Sequence, residues 1–355
     1  MEWWSSNDQA RKEKLEEELA GRQKLRMMIQ REELRLEPSS QRGLFVAPVI
    51  RRQLGFANRI LSLDILHLPP GCHCEAQRNP EALMHIIDGR GYTVIEGERY
   101  DWERGDTLHI KQGYWHQHYN LDPHQPAHML WATIEPLIEY LRPLPTQYKG
   151  DSFSDVDENY IPPHPFGYDS KPIETVGGEK WMSHVHLQRK QRIEAQKEAL
   201  RQGRTIYRAR DIQMERSEHK GDFIVGISDQ ALGFANQVVR MHLQQLPPGS
   251  HTETHRHDEA IVYVLKGRGY SLMDGVRYDW RQGDCMFIPP YVWHQHWNLD
   301  PDNVSQHIAI TWIPLQEKLG QFAEIEQRKD GDFTPPPEGY VPLLPWQQKS
   351  ADQAG

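Results

Sequence analysis

Two histidines two residues apart, His255 and His257, follow a Pro-Pro-Gly turn, and a second such pair, His294 and His296, follows an Ile-Pro-Pro turn about forty residues later. Side chains alternate between the faces of an extended strand, so each His-x-His pair puts both imidazoles on one side. Imidazole suits iron, zinc, copper and nickel as a ligand, and it exchanges protons near neutral pH. These positions therefore offer metal binding and acid–base chemistry. Nineteen histidines in one chain produce some His-x-His pairs by accident, so the argument rests on their order and on the elements that hold them.

Those elements are written twice. Leu54-Gly55-Phe56-Ala57-Asn58 returns 178 residues later as Leu232-Gly233-Phe234-Ala235-Asn236. At the same spacing Pro69-Pro70-Gly71 meets Pro247-Pro248-Gly249, Gly89-Arg90-Gly91-Tyr92 meets Gly267-Arg268-Gly269-Tyr270, and Trp115-His116-Gln117-His118 meets Trp293-His294-Gln295-His296. A period this long is a domain duplication, because each copy can close a core of its own. We expect domains at 1–178 and 179–355, joined by a Pro/Asp/Ser/Gly-rich linker over 151–178, with a similar stretch at 335–345. Each copy opens on a proline-poor, charged segment that reads as a helix, over 8–36 and over 183–202. Short runs of Val, Ile, Leu, Tyr and Trp follow, broken by turn signals such as Met273-Asp274-Gly275 and by a Gly-Arg-Gly expected to close a hairpin. Closely spaced strands of this kind suggest a mainly β jelly roll in each half, with flanking helices.

The second copy then shows a resemblance. Gly249 lies six residues before His255-Arg256-His257, and Gly283-Asp284 leads through Pro289 to His294 and Asn298. These segments resemble the two motifs of the cupin superfamily, whose members are double-stranded β-helix barrels, and the resemblance implies a metal held by His255, His257 and His294. In the first copy the positions of His255 and His257 hold Gln77 and Asn79, while His116 matches His294. Amides are poor ligands for a divalent transition metal, so the N-terminal barrel is expected to be metal-free.

Many cupins add a glutamate seven residues before the glycine that closes the strand. Counting back from Gly267 gives Ala260, and the adjacent Glu259 belongs to the opposite strand face. Three histidines without a carboxylate leave the ion its full charge and open positions, which suits an anionic substrate together with dioxygen. The His-Arg-His triplet, the missing glutamate and the doubled barrel resemble the gentisate and salicylate 1,2-dioxygenase group. That resemblance implies a non-haem Fe(II) dioxygenase opening a hydroxylated, acidic aromatic ring, with the small aromatic substrate and O2 as partners, in a homo-oligomer, dimer or tetramer. It also implies an acid–base role for His296. Members of the group carry the metal in the N-terminal barrel and place an arginine where this chain has Val262, so ring cleavage is implied more firmly than gentisate itself. The alternatives are another three-histidine cupin enzyme, a β-diketone-type dioxygenase or an isomerase, and a non-catalytic cupin that binds a small molecule.

Substrate residues are sought where the copies differ. Val239, Met241 and Leu243 stay apolar in copy one as Leu61, Leu63 and Ile65, marking a packed face. Arg240, His242 and Gln244 on the other face become Ser62, Asp64 and Leu66. We therefore expect Arg240, His242, Val262 and the motif's Asn298 to touch substrate, with Val264 lining the pocket and Trp280, Trp293 and Trp297 packing the barrel. A net charge of -9 argues against nucleic acid or anionic membrane as a partner. No apolar run is long enough to cross a bilayer, and Met1-Glu2-Trp3-Trp4 opens no signal-peptide core, so a cytoplasmic protein is expected. Cys72, Cys74 and Cys285 are read as reduced thiols.

Overall fold

The computed structural model describes residues 25–39, 43–141, 184–217, 221–320 and 326–327, together with Glu17 and Gly21. Two of its sheets build the C-terminal copy. One has seven strands in the order Met28–Ile29, Cys285–Ile288, Ala260–Lys266, Ser305–Thr311, Arg240–Leu246, Phe223–Gly226 and Glu215–Arg216. The other has five, in the order Val276–Arg281, Arg268–Met273, His294–Asn298, His255–Arg256 and Glu326–Gln327. The N-terminal copy repeats the plan with a seven-stranded sheet from Ile206–Tyr207 through Thr107–Ile110, Ala82–Asp88, Ala127–Thr133, Ser62–Leu68 and Phe45–Ile50 to Glu37–Pro38, and a three-stranded sheet of Glu98–Glu103, Arg90–Ile95 and His116–Asn120. All named strand pairs are antiparallel, as a double-sheet jelly roll requires.

The turns follow from local chemistry, with one correction. Asp274 (φ 46°) and Gly275 (φ 82°) link Arg268–Met273 to its partner Val276–Arg281 through a two-residue loop in which both residues adopt left-handed φ. Gly267 does not close a hairpin, as its Gly-Arg-Gly setting suggests. It carries the chain from one sheet to the other at φ 94°, and a Cβ there would lie 2.7 Å from the Ser305 Cβ.

The helix expected over 183–202 forms as His184–Gln202. The one expected over 8–36 does not extend through its last third. Residues 8–24 lie outside the described residues apart from Glu17 and Gly21, and the remainder contains the strand Met28–Ile29 and a short 3-10 turn, Arg31–Glu33. Pairing of Met28 with Met286 and Ile29 with Cys285 overrides local helix propensity there. The linker stretches at 151–178 and 335–345 also lie outside the described residues. Among those described, no helix is long and apolar enough to cross a membrane, and Cys72, Cys74 and Cys285 form no disulfide.

Residues 1–140 and 204–355 form one compact unit holding both barrels, and residues 141–203 form a second. Within the first unit the copies exchange edge strands: Met28–Ile29 joins the C-terminal sheet, and Ile206–Tyr207 pairs with Leu108 and Thr107 of the N-terminal one. Buried carboxylates fasten this exchange at positions related by the repeat. Glu259 accepts from the backbone N–H groups of Arg59, Ile60 and Leu61, and Glu81 accepts from those of Gln237, Val238 and Val239. Asp284 accepts from the Arg31 N–H, and Asp106 from the Ala209 N–H. Hydrogen bonds to a charged group contribute about 1.5–3 kcal/mol each, set against the cost of burying the carboxylates, which for Glu259 is large enough to push its carboxyl up.

That packing explains the shared apolar face of the repeat. Leu61, Leu63, Val239, Met241 and Leu243 belong to one buried cluster with Leu83, Leu130, Ile261, Tyr263, Phe287, Ile308 and Ile310. The face marked as packed by the sequence therefore covers the sister barrel, while the alternate residues point into their own barrel.

Candidate metal centre

Antiparallel pairing sets His255 opposite His294, so residues from two distant stretches of chain meet on one face. Their rings lie 4.3 Å apart between centroids, His257 lies 4.7 Å from His294, and His255 lies 5.6 Å from His257. The nitrogens able to bind an ion all fall within 4.8 Å of one another. Each Nδ1 faces a backbone carbonyl: His255 that of Glu253 at 3.0 Å, His257 that of Asp258 at 2.7 Å, and His294 that of Val292 at 2.8 Å. A carbonyl only accepts, so the proton sits on Nδ1 and Nε2 is left as the ligand nitrogen. Burial pushes His257 down, and burial together with the neighbouring imidazoles holds His294 well below the usual histidine range. The Nε2 of His294 is buried without a partner among the described residues. An acceptor in that position costs about 1–3 kcal/mol unless something binds it. A divalent ion about 2.1 Å from each nitrogen fits this donor set.

Among the described residues no carboxylate joins the cluster. Ala260 stands in the apolar interior with Val262, Val264, Met286, Ile288 and Ala309, whereas Glu259 is held by the other copy's backbone.

His296 stands 5.5 Å from His294 and 6.4 Å from His255, ring to ring. Its Nδ1 lies 2.7 Å from the Ser271 Oγ, which also accepts from Trp280 Nε1. The first copy repeats this bond with His118 and Thr93 at 2.9 Å, so it belongs to the shared scaffold, and Nε2 is the nitrogen left for chemistry. Arg240, His242 and Gln244 pair with Thr311, Ala309 and His307, and Val262 and Val264 pair with Ala309 and His307. All of them consequently face the barrel interior. Arg240 is held by Asp229 through Nε at 2.5 Å.

Asn298 is a correction. Its Nδ2 donates to the carbonyls of Leu246, Pro247 and Asn303, and its Oδ1 accepts from the Asp300 N–H. Asn120 makes the equivalent bonds in the N-terminal copy, so this residue organises a turn and has no atom left for substrate. Trp280 packs inside as expected. Trp297 instead stacks between His251 and Tyr270, and Trp293 lies beneath the Arg256 guanidinium.

Three residues without any motif distinguish this interior from its sister. In copy one Trp131 fills the barrel, with its ring 5.7 Å from His116 and 5.8 Å from His118. Ala309 occupies that position in copy two, and Met84 and Ile86 are reduced to Val262 and Val264. Met129 becomes His307, whose ring meets Trp280 at 4.7 Å and whose two nitrogens are buried without partners. Leu44 becomes Asp222, which accepts from Gln244 Nε2 at 2.5 Å. The signal that finds these residues is the repeat comparison itself, carried beyond the motifs to every inward-facing position.

Burial pushes the Asp222 carboxyl up from 3.8 to about 6, against hydrogen bonds from Gln244 and Ser217. The folded value lies above the unfolded one, so the protein loses stability as pH rises from about 4 to about 6. A shift of that size corresponds to roughly 2–3 kcal/mol. Asp222→Leu, which copies Leu44, is thus expected to raise the melting temperature clearly at about pH 8 and much less at about pH 4. Equal gains at both values in thermal melts would mean that folding does not raise the pKa of this carboxyl.

Comparison with known proteins agrees with this architecture. The cupin domain family matches residues 64–133 and 242–308. The chain is 25% identical to a 5-aminosalicylate 1,2-dioxygenase of Comamonas sp over 248 residues, which cover 66% of this chain and 60% of that protein. A gentisate 1,2-dioxygenase of Ralstonia sp is 32% identical over 87 residues, 24% of each chain. Among solved structures, a salicylate 1,2-dioxygenase from Pseudaminobacter salicylatoxidans superimposes with a TM-score of 0.54 at 16% identity, covering 81% of this chain and 82% of that one. A tryptophan-to-tyrosine variant of the oxalate decarboxylase of Bacillus subtilis does so with a TM-score of 0.54 at 15% identity, covering 85% and 79%. At such identities the structural likeness speaks for the fold alone.

Proposed function

Two stretches of this chain are cupin domains, and from that premise we propose that the C-terminal one is the active barrel of a non-haem iron dioxygenase that opens a hydroxylated, acidic aromatic ring. The observation that carries the proposal is the convergence of three imidazoles, with no carboxylate among them, in a barrel whose interior is emptied of the tryptophan that fills its sister. The distant relatives named as 1,2-dioxygenases of aminosalicylate and gentisate support the same class.

Iron(II) held by His255, His257 and His294 would supply the Lewis-acid and redox chemistry that joins dioxygen to the ring. The chain's other residues orient the substrate and manage protons. Val262, Val264 and Ala309 form an apolar wall that excludes water and leaves room for a planar ring. His242, and the N–H groups of Arg240 not engaged by Asp229, present the polar side of the same interior to the acidic substituent. His296 is kept neutral by burial and by the neighbouring imidazoles. Its Nε2 is therefore free to accept the proton of the ring hydroxyl.

Anaerobic reconstitution with Fe(II), followed by oxygen uptake over salicylate, 5-aminosalicylate, gentisate, hydroxynaphthoate and a β-diketone, tests the reading. Uptake with at least one hydroxylated aromatic acid and none without metal is expected. Uptake with the diketone alone, or with none of the panel, overturns it.

A further inference from the structure

Beneath the metal cluster the C-terminal barrel contains a second polar group of residues that no motif predicts. His307 is fully buried, and neither Nδ1 nor Nε2 has a partner among the described residues. Gln244 is its direct cross-strand neighbour, and Gln244 bonds Asp222, whose Oδ1 is also buried without a partner. These three atoms, without partners among the described residues, thus belong to two side chains that flank Gln244 on its two sides. Leaving such atoms unpaired in an otherwise apolar interior works against folding.

The sister barrel shows that the fold does not need them. There the same positions are Leu44, Leu66 and Met129, all three in one packed apolar cluster. All three changed to polar residues only in the copy that carries the histidine cluster, which drift on a solvated face does not explain because the face is buried. His296 neighbours both groups, 5.5 Å from His294 and 5.9 Å from His307, ring to ring. A single aromatic ring with a substituent at each end can span that interval.

We propose that Asp222, Gln244 and His307 form a second recognition subsite, which takes an uncharged hydrogen-bonding substituent, a hydroxyl or amino group, on the ring end away from the metal. The assignment rests on the function proposed above and adds which substrates it selects. Its chemistry follows from the atoms available. A neutral imidazole offers one N–H and one lone pair, and Asp222 Oδ1 offers an acceptor, so the set complements an O–H or N–H group. A second carboxylate would meet the Asp222 oxygen and be refused. Burial brings His307 down to about 3 and so keeps it uncharged, consistent with a site for a neutral group. A site built to hydrogen-bond a substituent rejects the analogue lacking it, because its own buried groups are then left unpaired.

The test uses the full chain loaded with Zn(II), so that binding is read without turnover. Calorimetry compares 5-aminosalicylate and gentisate, which carry the extra group, with salicylate, which lacks it. Unaltered protein is expected to prefer the substituted acids by about tenfold or more. A triple variant, Asp222→Leu with Gln244→Leu and His307→Met, copies the sister barrel and should fold; in it the preference should fall to about onefold while salicylate binds as before. His307→Met alone serves if the triple variant does not fold, and should lose most of the preference. An unchanged ratio in the variants, or no preference in the unaltered protein, overturns the subsite and leaves water as its occupant. Because binding to the zinc-loaded protein is read separately from oxygen uptake, failure of the subsite and failure of the dioxygenase reading give different results.

Discussion

His294→Ala is expected to empty the metal centre: after reconstitution and dialysis the variant should hold less than about a tenth of the metal bound by the parent, with oxygen uptake reduced roughly a thousandfold. His255 and His257 sit close together at one short strand, and His294 is the ligand from a separate stretch of chain that closes the set. Losing it leaves two nitrogens and an open hydrophobic side. The matching change in the other copy is the control. His116 has Gln77 and Asn79 beside it at the repeat-related positions, so His116→Ala should leave metal content unaltered. Elemental analysis of the two variants side by side decides the matter; equal retention of metal by both would mean that the histidine cluster is not the binding site.

The second large effect is expected from Ala309→Trp, which transplants the Trp131 ring into the barrel that lacks it. Metal content should stay close to that of the parent, because in copy one His116, the match of His294, keeps its place beside the Trp131 ring. Affinity for the aromatic acid should fall by about a thousandfold or more, since the ring would occupy the volume the substrate needs. Overpacking a full core costs about 1–3 kcal/mol. Here the penalty is expected to be small, because Val262 and Val264 are smaller than the Met84 and Ile86 that coexist with Trp131. Retained substrate binding with a well-folded, metal-loaded variant would mean that the ring binds elsewhere.

Much of this is legible in the sequence, for reasons that also set its limits. A repeat with no gap through its motifs exposes both the barrels and the ligand set, since losing His255 and His257 to amides in one copy is visible without coordinates. The absence of an acid at Ala260 can likewise be counted along a strand. Alternation along residues 238–246 separates two faces but does not tell which surface each one meets, and the apolar face proves to cover the sister barrel. Asn298 misleads because its motif position does not reveal that three carbonyls hold its amide. Gly267 reads as a hairpin because a left-handed glycine serves equally to cross between sheets. The end of the first charged segment reads as helix because its pairing with a strand far along the chain, Met28 with Met286, leaves no local trace.

The traded edge strands and their carboxylate clasps also bear on inheritance. Neither half contains the whole of its own sheet, so neither can be discarded as a relic without unmaking the other. Damage to Glu81 or Ile29 would reach the C-terminal half through the shared seam. Selection on either half thereby preserves both.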